Sequence, residues 1–306
     1  DGTYYLRAYI GNNTELVMPT NYKGSNYGIG DYAFSGCSDL TSVEIPNCVT
    51  SIGYETFYGC SGLTSVKIPN SVTSIGAHAF SGCSNLKSLT IGAGVLAIGY
   101  PQCTPTKTIW LTNTPPNGWS NLKGTINYVA NEQYGSSNNV KVYPYLSSIF
   151  ETDGVTYVPV SPSERTCDAI DCSYDSAVEA IKIGITVSYK GVAMTVKNVM
   201  PYVAYEHKTV KKLSVSNLGN IGEQAFYDCT AITQASIFNE GGIGEKAFYG
   251  CTSLEKVVIG KNVETIGYNA FADCEKLYEV TGGGKLAKIE QGTFSGCVSL
   301  SSYTIP

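Results

Sequence analysis

Cysteine is the residue type with which this sequence offers the most chemistry, since it has 11 cysteines against two histidines. Most of them form two series with a spacing near 23 residues: Cys37, Cys60, Cys83 and Cys103, then Cys229, Cys251, Cys274 and Cys297. A repeated strand stacks equivalent side chains about 4.8 Å apart in parallel directions. Disulfides need converging Cβ atoms at about 3.5–4.5 Å, and metal ligands must meet at one point. The spacing therefore predicts buried, reduced thiols in a core.

Three cysteines fall outside these series. Cys48 stands where the next repeat has Ser71, which predicts a surface thiol. Cys167 and Cys172 are separated by four residues in a stretch without repeats. For this pair, a local disulfide and two free thiols are equal alternatives.

The two histidines do not complete a catalytic group. His207 takes a cysteine position one turn before Cys229, but a Cys–His nucleophile needs a third group that orients the imidazole, and none is evident. His78 occupies a variable position and is expected to be exposed. The glycine-rich run 92–97 imitates a dinucleotide-binding motif, but it aligns with a repeat turn. We therefore expect no enzyme activity, no metal and no cofactor.

Charge and hydropathy exclude two classes of partner. The net charge is −5 and no run is dense in lysine and arginine, which disfavours binding to nucleic acid. No apolar run approaches the ~18 residues of a transmembrane helix, so we expect no membrane insertion within this chain.

A repeat of about 23 residues organises most of the chain. Its clearest copy is residues 63–85, in which Val66 alternates with polar neighbours as in a half-buried strand and Pro69 ends that strand. Ile75 marks a second short extended piece, and Phe80 lies on the return to the next copy. One copy buries too few apolar side chains to offset its conformational entropy, whereas stacked copies share their apolar faces. The pattern therefore predicts a β-rich solenoid.

Two cap segments without repeats precede two blocks of repeats. The predicted order is an N-terminal header cap at 1–28, repeat block 1 at 29–129, an irregular connector with a second β-hairpin cap at 130–198, and repeat block 2 at 199–306. In the second cap segment, alternation in 181–189 and again after Lys190-Gly191 predicts a β-hairpin. The first turn of a solenoid exposes strand edges, so each cap segment is expected to cover the block that follows it.

The period is broken inside block 1. Cys103 follows Cys83 by 20 residues, which we interpret as a deletion of three residues. On that alignment Ile109 takes the place of Leu89, and a last irregular turn ends at 126–129.

The unit L-x-x-V-x-I-P-x-x-V-x-x-I-G-x-x-A-F-x-x-C-x-x resembles the BspA-like, treponemal-type leucine-rich repeat. The Asp-Gly-x-x-Tyr motifs of the cap segments resemble those that precede such repeats in surface proteins of gut and oral bacteria. The resemblance implies a leucine-rich-repeat right-handed superhelix with two β-hairpin-type header caps. It also implies a secreted or cell-surface location, binding to a host or bacterial surface protein or glycan, and no catalytic residues.

The outward face of the predicted strands is the candidate ligand-binding surface. Its side chains are small or polar: Ser42, Glu44, Ser65, Lys67, Ser88 and Thr90 in block 1, and Gln234, Lys256 and Glu279 in block 2. Glu44 with Lys67, and Lys256 with Glu279, are expected to pair across neighbouring strands. The alternative is that this face is only solvated and binds no ligand. Six tyrosines on turns serve either an interface or the covering of turn backbone: Tyr54, Tyr58, Tyr100, Tyr227, Tyr249 and Tyr268.

Two functions fit these features. The first is a non-catalytic extracellular scaffold for binding or adhesion. The alternative is a structural spacer that projects other domains from the cell surface. A signal peptide and an anchor are expected to lie outside these 306 residues.

Overall fold

The computed structural model describes residues 4–11, 13–100, 103–122, 124–130, 133, 139–173 and 178–304, with side chains up to residue 301. These residues form two compact units, Asp1–Ser147 and Ser148–Pro306. The division lies inside the stretch 130–198 that the sequence marks as connector and second cap segment. Each unit therefore contains a cap segment and a block of repeats.

The first unit is built from parallel strands, two for each complete repeat. They are β1 (Tyr4–Leu6), β2 (Glu15–Val17), β3 (Tyr27–Ile29), β4 (Ser42–Glu44), β5 (Val49–Ile52), β6 (Ser65–Ile68), β7 (Ser74–Ile75), β8 (Ser88–Ile91), β9 (Ala97–Ile98), β10 (Lys107–Trp110), β11 (Ile126–Val129) and β12 (Val140–Val142). One sheet has the order β1-β3-β5-β7-β9, and the other has the order β12-β11-β10-β8-β6-β4-β2. The predicted β-rich solenoid is confirmed.

The turns of the repeat follow from its proline and glycines. Strand β6 ends at Ile68 because the next residue, Pro69, has no N–H, and the amide of Val72 donates to the Pro69 carbonyl at 3.2 Å to close the turn. Gly82 has a φ of +79°, a left-handed conformation that costs glycine little. A Cβ on Gly76 would lie 2.5 Å from the backbone of Gly53 in the preceding turn, so only glycine permits this close stacking.

The second unit begins with a mixed sheet and continues as a solenoid. Its strands are β13 (Phe150–Thr152), β14 (Val155–Ser161), β15 (Thr166–Cys172), β16 (Ala180–Ile183), β17 (Thr186–Tyr189), β18 (Val192–Val199), β19 (Lys212–Val215), β20 (Gln234–Ile237), β21 (Lys256–Ile259), β22 (Thr265–Ile266), β23 (Glu279–Gly282), β24 (Lys288–Ile289) and β25 (Ser302–Thr304). The mixed sheet, called here the cap sheet, has the order β13-β14-β15-β18-β17, and the repeat sheet has the order β16-β19-β20-β21-β23-β25. Strands β22 and β24 pair with each other. Short 3₁₀ helices lie at Trp119–Leu122 and Leu146–Ser148.

Equivalent side chains stack in continuous files inside each unit, as the repeat predicts. The phenylalanine rings are nearly parallel, with centroids 5.1 and 5.4 Å apart for Phe34, Phe57 and Phe80, and 5.1, 5.0 and 5.7 Å apart for Phe226, Phe248, Phe271 and Phe294. Apolar side chains of the strands surround these files and are buried with them. Burial of such a ring contributes about 1.5–3 kcal/mol of hydrophobic stabilisation to each repeat, beside the similar contributions of its buried aliphatic side chains.

The alternating run 181–189 does not form a single strand, so this part of the hairpin prediction is wrong. Its first half is β16, which pairs in parallel with β19 of the repeat sheet. Its second half is β17, which pairs antiparallel with β18 around the predicted Lys190-Gly191 turn. The run leaves one sheet for the other at Gly184 and Ile185. Alternation alone reports which residues face inward, and it does not report which sheet they join.

The first cap segment is smaller than the second. Its hairpin is reduced to an antiparallel bridge between Tyr22 and Ser25. Strands β1 and β2 pair in parallel with β3 and β4. This segment thus extends both sheets of block 1 by one strand.

The alignment of block 1 beyond the deletion is wrong by one residue. Strand β10 pairs with β8 so that Thr108 lies opposite Leu89 and Ile109 lies opposite Thr90. Trp110 therefore faces inward and is fully buried. A buried indole gains more than the side chains of the alternative register, which explains the choice. The predicted turn end at 126–129 is β11.

Candidate binding surface

The stacked thiols act as hydrogen-bond donors inside the solenoid. The Sγ–H of six cysteines donates to a carbonyl of the preceding turn at 3.0–3.3 Å: Cys60 to Phe34, Cys83 to Phe57, Cys229 to Ala204, Cys251 to Phe226, Cys274 to Phe248 and Cys297 to Phe271. Burial raises the pKa of Cys60 to about 12 and also raises the pKa of Cys83. Both thiols therefore stay protonated at neutral pH, and a protonated thiol is neither a nucleophile nor a metal ligand.

The prediction of buried free thiols is confirmed inside the files and modified at their ends. Cys60, Cys83, Cys229, Cys251 and Cys274 are buried and free. The members at or near the ends of each file are half-buried: Cys37, Cys103 and Cys297.

Cys167 and Cys172 do not form a disulfide, because both belong to β15. Five residue steps along an extended strand place their Cα atoms roughly 16 Å apart, against the ~5.5–6 Å of a disulfide. Both are buried free thiols, so the second alternative is confirmed. Cys48 lies half-buried at the edge of the core of the first unit, so the predicted surface thiol is confirmed in part.

His207 is a core residue that is 1% exposed. Its Nε2–H donates to the carbonyl of Ser173 at 2.8 Å, and its Nδ1 accepts from the amide of Thr209 at 3.4 Å. Burial lowers the pKa of His207, which keeps the ring neutral at pH 7. The thiol of Cys229 donates to the carbonyl of Ala204, so it is already engaged outside any pair with His207.

Other chemistry has little support in the described part of the chain. Among these residues, no group of three or more His, Cys, Asp or Glu side chains is placed to hold a metal ion. The same residues contain no helix of sufficient length and hydropathy to span a bilayer. The glycine-rich run 92–97 leads directly into β9, whereas a dinucleotide-binding motif opens a helix.

The outward face of the second unit is polar. The strand register arranges its side chains in two rows, Ala180, Lys212, Gln234, Lys256 and Glu279 in one, and Lys182, Ser214, Ser236, Val258 and Thr281 in the other. Lys212 and Gln234 are exposed, while Lys256 and Glu279 are half-buried. The Nζ of Lys256 lies 2.9 Å from Oε2 of Glu279, which confirms the predicted pair. Lys256 also lies over the ring of Tyr278, 5.3 Å from its centroid.

The outward face of the first unit changes along the solenoid. Glu44 and Lys67 are exposed and Ser42 and Ser65 are half-buried: these four predicted residues reach solvent on β4 and β6. Ser88 and Thr90 on β8 are 3% and 8% exposed, so the expectation that they are exposed is wrong.

The reason lies in the next two strands. On the same face as Thr90, β10 places Ile109 and β11 places Tyr128, and both are buried. Tyr128 packs against Tyr143, which follows β12, with ring centroids 5.9 Å apart. The row that contains Thr90 is therefore apolar and covered on these strands, and the neighbouring row continues from Ser88 to Lys107, which is also fully buried.

The repeats that form these sheets match a known protein family. The model of the BspA-type leucine-rich-repeat region matches residues 10–114 and 197–306 in six copies. The chain belongs to the BspA-type leucine-rich-repeat family. A comparison with curated proteins finds no match.

Solved structures similar to this BspA-type chain come from several bacteria. A leucine-rich cell-surface protein of Faecalibacterium prausnitzii is 23% identical, with coverage of 100% of this chain and 94% of that one and a TM-score of 0.46. A leucine-rich-repeat protein of T. pallidum is 21% identical over 51% of this chain and 71% of its own, with a TM-score of 0.45. A leucine-rich-repeat protein of Bacteroides ovatus is 26% identical over 95% and 72%, with a TM-score of 0.42.

Sequence reasoning misses two cations on the outward face of the BspA-type repeats. Lys212 lies beside Gln234, and Lys182 belongs to β16, which extends the repeat sheet. Lys182 is missed because alternation assigns residues 181–189 entirely to the cap hairpin. The position of Lys182 between two inward-facing isoleucines indicates that it faces outward. This pattern does not indicate which sheet the strand joins.

The turn tyrosines of the BspA-type repeats take two forms. Tyr58, Tyr100 and Tyr268 are exposed. Tyr227 and Tyr249 are half-buried, and their rings stack with centroids 5.1 Å apart. Tyr54 meets the half-buried ring of His78 edge-on at 5.6 Å, so His78 is less exposed than predicted.

Proposed function

We propose that this chain is a non-catalytic, cell-surface or secreted protein that binds a protein or glycan through the outward face of the repeat sheet in its second unit. The observation that carries the proposal is the polar face formed by β16, β19, β20, β21 and β23. Its residues Lys212 and Gln234 are exposed, and Lys256 pairs with Glu279. In the first unit, the exposed Glu44 and Lys67 are the corresponding candidates.

The groups best suited to chemistry support a non-catalytic role. The thiols of Cys60 and Cys83 have raised pKa values, and the imidazole of His207 has a lowered one. Each is buried and bonded to backbone. These contacts stabilise the stacking of the repeats and leave the exposed strand face for binding.

The size of the face favours a glycan or an extended peptide over a globular partner. Five strands spaced about 4.8 Å apart span roughly 19 Å, and four residues along a strand span roughly 13 Å. The resulting area of roughly 250 Å² is well below the ~800 Å² that each partner contributes to a standard protein–protein interface. A ligand bound here alone is therefore narrow and lies across the strands.

The proposed cell-surface or extracellular location rests on membership of the BspA-type family, because the resemblance to surface proteins with these repeats implies export. A spacer function would use the same stacked files without any ligand. Binding is thus the feature that separates the two functions.

The test is a screen of the whole chain on glycan and matrix-protein arrays, followed by affinity measurement for each hit. The triple variant Lys212→Ala, Gln234→Ala and Lys256→Ala should weaken a genuine hit at least tenfold, because it removes the polar side chains of three adjacent strands. A double variant at exposed turn positions, Lys261→Ala and Glu264→Ala, is the control and should bind normally. Silence across the arrays would leave the spacer as the function, and a hit that the triple variant binds equally well would reject this face.

A further inference from the structure

A cavity of about 260 Å³ lies in the second unit where the chain passes from the repeat sheet to the cap sheet. Its polar lining comes from Thr152 and Asp153 at the end of β13, Tyr157 on β14, and Lys182 on β16. Strand β17 completes it with Thr186, Val187 and Ser188. Because Lys182 also belongs to the outward rows of the repeat sheet, the cavity adjoins the face proposed to bind.

Tyr157 is the least expected member of this lining. It is 1% exposed, and its ring stacks on Phe150 with centroids 5.5 Å apart. Its hydroxyl makes no hydrogen bond with any residue that the structure describes. The hydroxyl is not among the fully buried unsatisfied atoms of these residues, and a hydroxyl that lines a cavity without a partner in the protein is suited to a ligand that supplies the missing bond.

The charged groups of the cavity are also unused within the described residues. Neither Asp153 nor Lys182 forms an ion pair or side-chain hydrogen bond there. The lining therefore carries one negative and one positive group that cancel in net charge. The hydroxyls of Thr152, Thr186 and Ser188 add groups that both donate and accept.

We propose that this cavity binds a single neutral sugar residue, such as the exposed end of a glycan, and this rests on the proposed function. Sugar hydroxyls donate to Asp153, accept from Lys182 and do both with Tyr157, so one uncharged ring satisfies all three. A carboxylate placed beside Lys182 would also face Asp153, and an ammonium placed beside Asp153 would face Lys182. The volume is just below the ~300–1,000 Å³ of pockets for drug-sized ligands, which limits the occupant to about one ring.

The experiment is a titration of the whole chain with neutral hexoses and N-acetylhexosamines, alongside glucuronic acid and sialic acid as anionic probes and methylamine as a cationic probe. Binding is detected by saturation-transfer NMR and quantified by calorimetry. We expect millimolar or tighter binding of at least one neutral sugar and none of the charged probes. Tyr157→Phe should weaken it about three- to tenfold, since one hydrogen bond is lost, and Asp153→Asn should weaken it at least as much.

The matched control is Tyr189→Phe, which removes a hydroxyl from the same cap sheet outside the cavity lining. It should bind the sugar normally, and thermal unfolding should show that all variants are folded. The proposal fails if no neutral sugar binds at about 20 mM, well above a millimolar Kd, if a charged probe binds better, or if Tyr157→Phe binds like the unmodified chain. An array hit that responds to the triple variant on the strand face, but not to Tyr157→Phe, would preserve the proposed function while rejecting this cavity.

Discussion

The two units share their inner files but differ on their outer faces. Phenylalanine rings stack at 5.0–5.7 Å in both. Outside, the row through Glu44 and Lys67 continues into buried Ile109 and Tyr128, whereas the row of Lys182, Ser214, Ser236, Val258 and Thr281 stays exposed or half-buried. The repeat thus specifies the interior, while the outward residues are free to make either a covered apolar face or an exposed polar one.

Because the two units share this interior, removal of one phenylalanine ring from the stack should cost both units the same stability. Phe57→Ala and Phe248→Ala each remove a fully buried ring that stacks on a ring in both neighbouring turns. We expect each to lower the free energy of unfolding by about 3–5 kcal/mol, measured by urea denaturation. Tyr58→Ala, next to Phe57 but 46% exposed, is the control and should cost far less. A clear inequality between the two phenylalanine variants would show that the interiors are not equivalent.

Because the outward faces differ, truncation of an outward-facing side chain should cost more stability in the first unit than in the second. Ile109→Ala removes a side chain that is 1% exposed and should cost about 2–5 kcal/mol. Val258→Ala removes one that is 41% exposed, and surface substitutions of this kind stay near ±0.5 kcal/mol. Denaturation of both variants beside the unmodified chain measures the contrast. Similar losses at the two positions would contradict the assigned outward faces.

Much of the interior was predictable because its period is long, regular and apolar. The positions of Phe57, Phe80 and Cys83 in the core follow from spacing alone, since a stacked repeat gives equivalent residues equivalent surroundings. The failures lie where the period breaks. Residues 107–111 can alternate in either of two registers, and burial of Trp110 decides between them.

The exterior was less predictable because outward residues obey no repeat. Ser88 and Ser65 are the same residue type on neighbouring strands, yet Ser88 is buried and Ser65 is half-buried. The difference depends on the next strand along the sheet, where Lys107 lies opposite Ser88 and is itself fully buried. The cavity at Tyr157 was equally hidden, because it depends on the passage of residues 181–189 between two sheets.

His207 predicts a dependence of stability on pH that the cysteines of the later turns do not share. Its folded-state pKa is lowered by burial, so the unfolded chain binds more protons below the ordinary value of about 6.5. Stability should therefore fall as pH drops below about 6.5, by at most ~1.4 kcal/mol per pH unit. Urea denaturation at pH values from about one unit above to one unit below that ordinary value measures it.

The matched variant for this prediction is His207→Cys, which restores the residue that Cys229 represents one turn later. Its unfolding free energy should change less across this pH range than that of the unmodified chain. The variant also loses the hydrogen bond to Ser173, so its stability at the upper end of the range is compared separately. An unchanged pH slope would mean that another group causes the acid sensitivity.

The ion pair on the polar face gives the smallest expected effect. Lys256 and Glu279 are 2.9 Å apart on neighbouring strands, and their side chains are 44% and 42% exposed. Screening by solvent and salt at such exposure limits the coupling energy to about 0.2–1 kcal/mol. The double-mutant cycle of Lys256→Ala and Glu279→Ala, measured by urea denaturation at low and at high NaCl concentration, should give a coupling that shrinks with salt. A coupling that persists at high salt would contradict a solvent-screened pair, because the contact of Lys256 with Tyr278 is lost in both Lys256→Ala variants and cancels in the cycle.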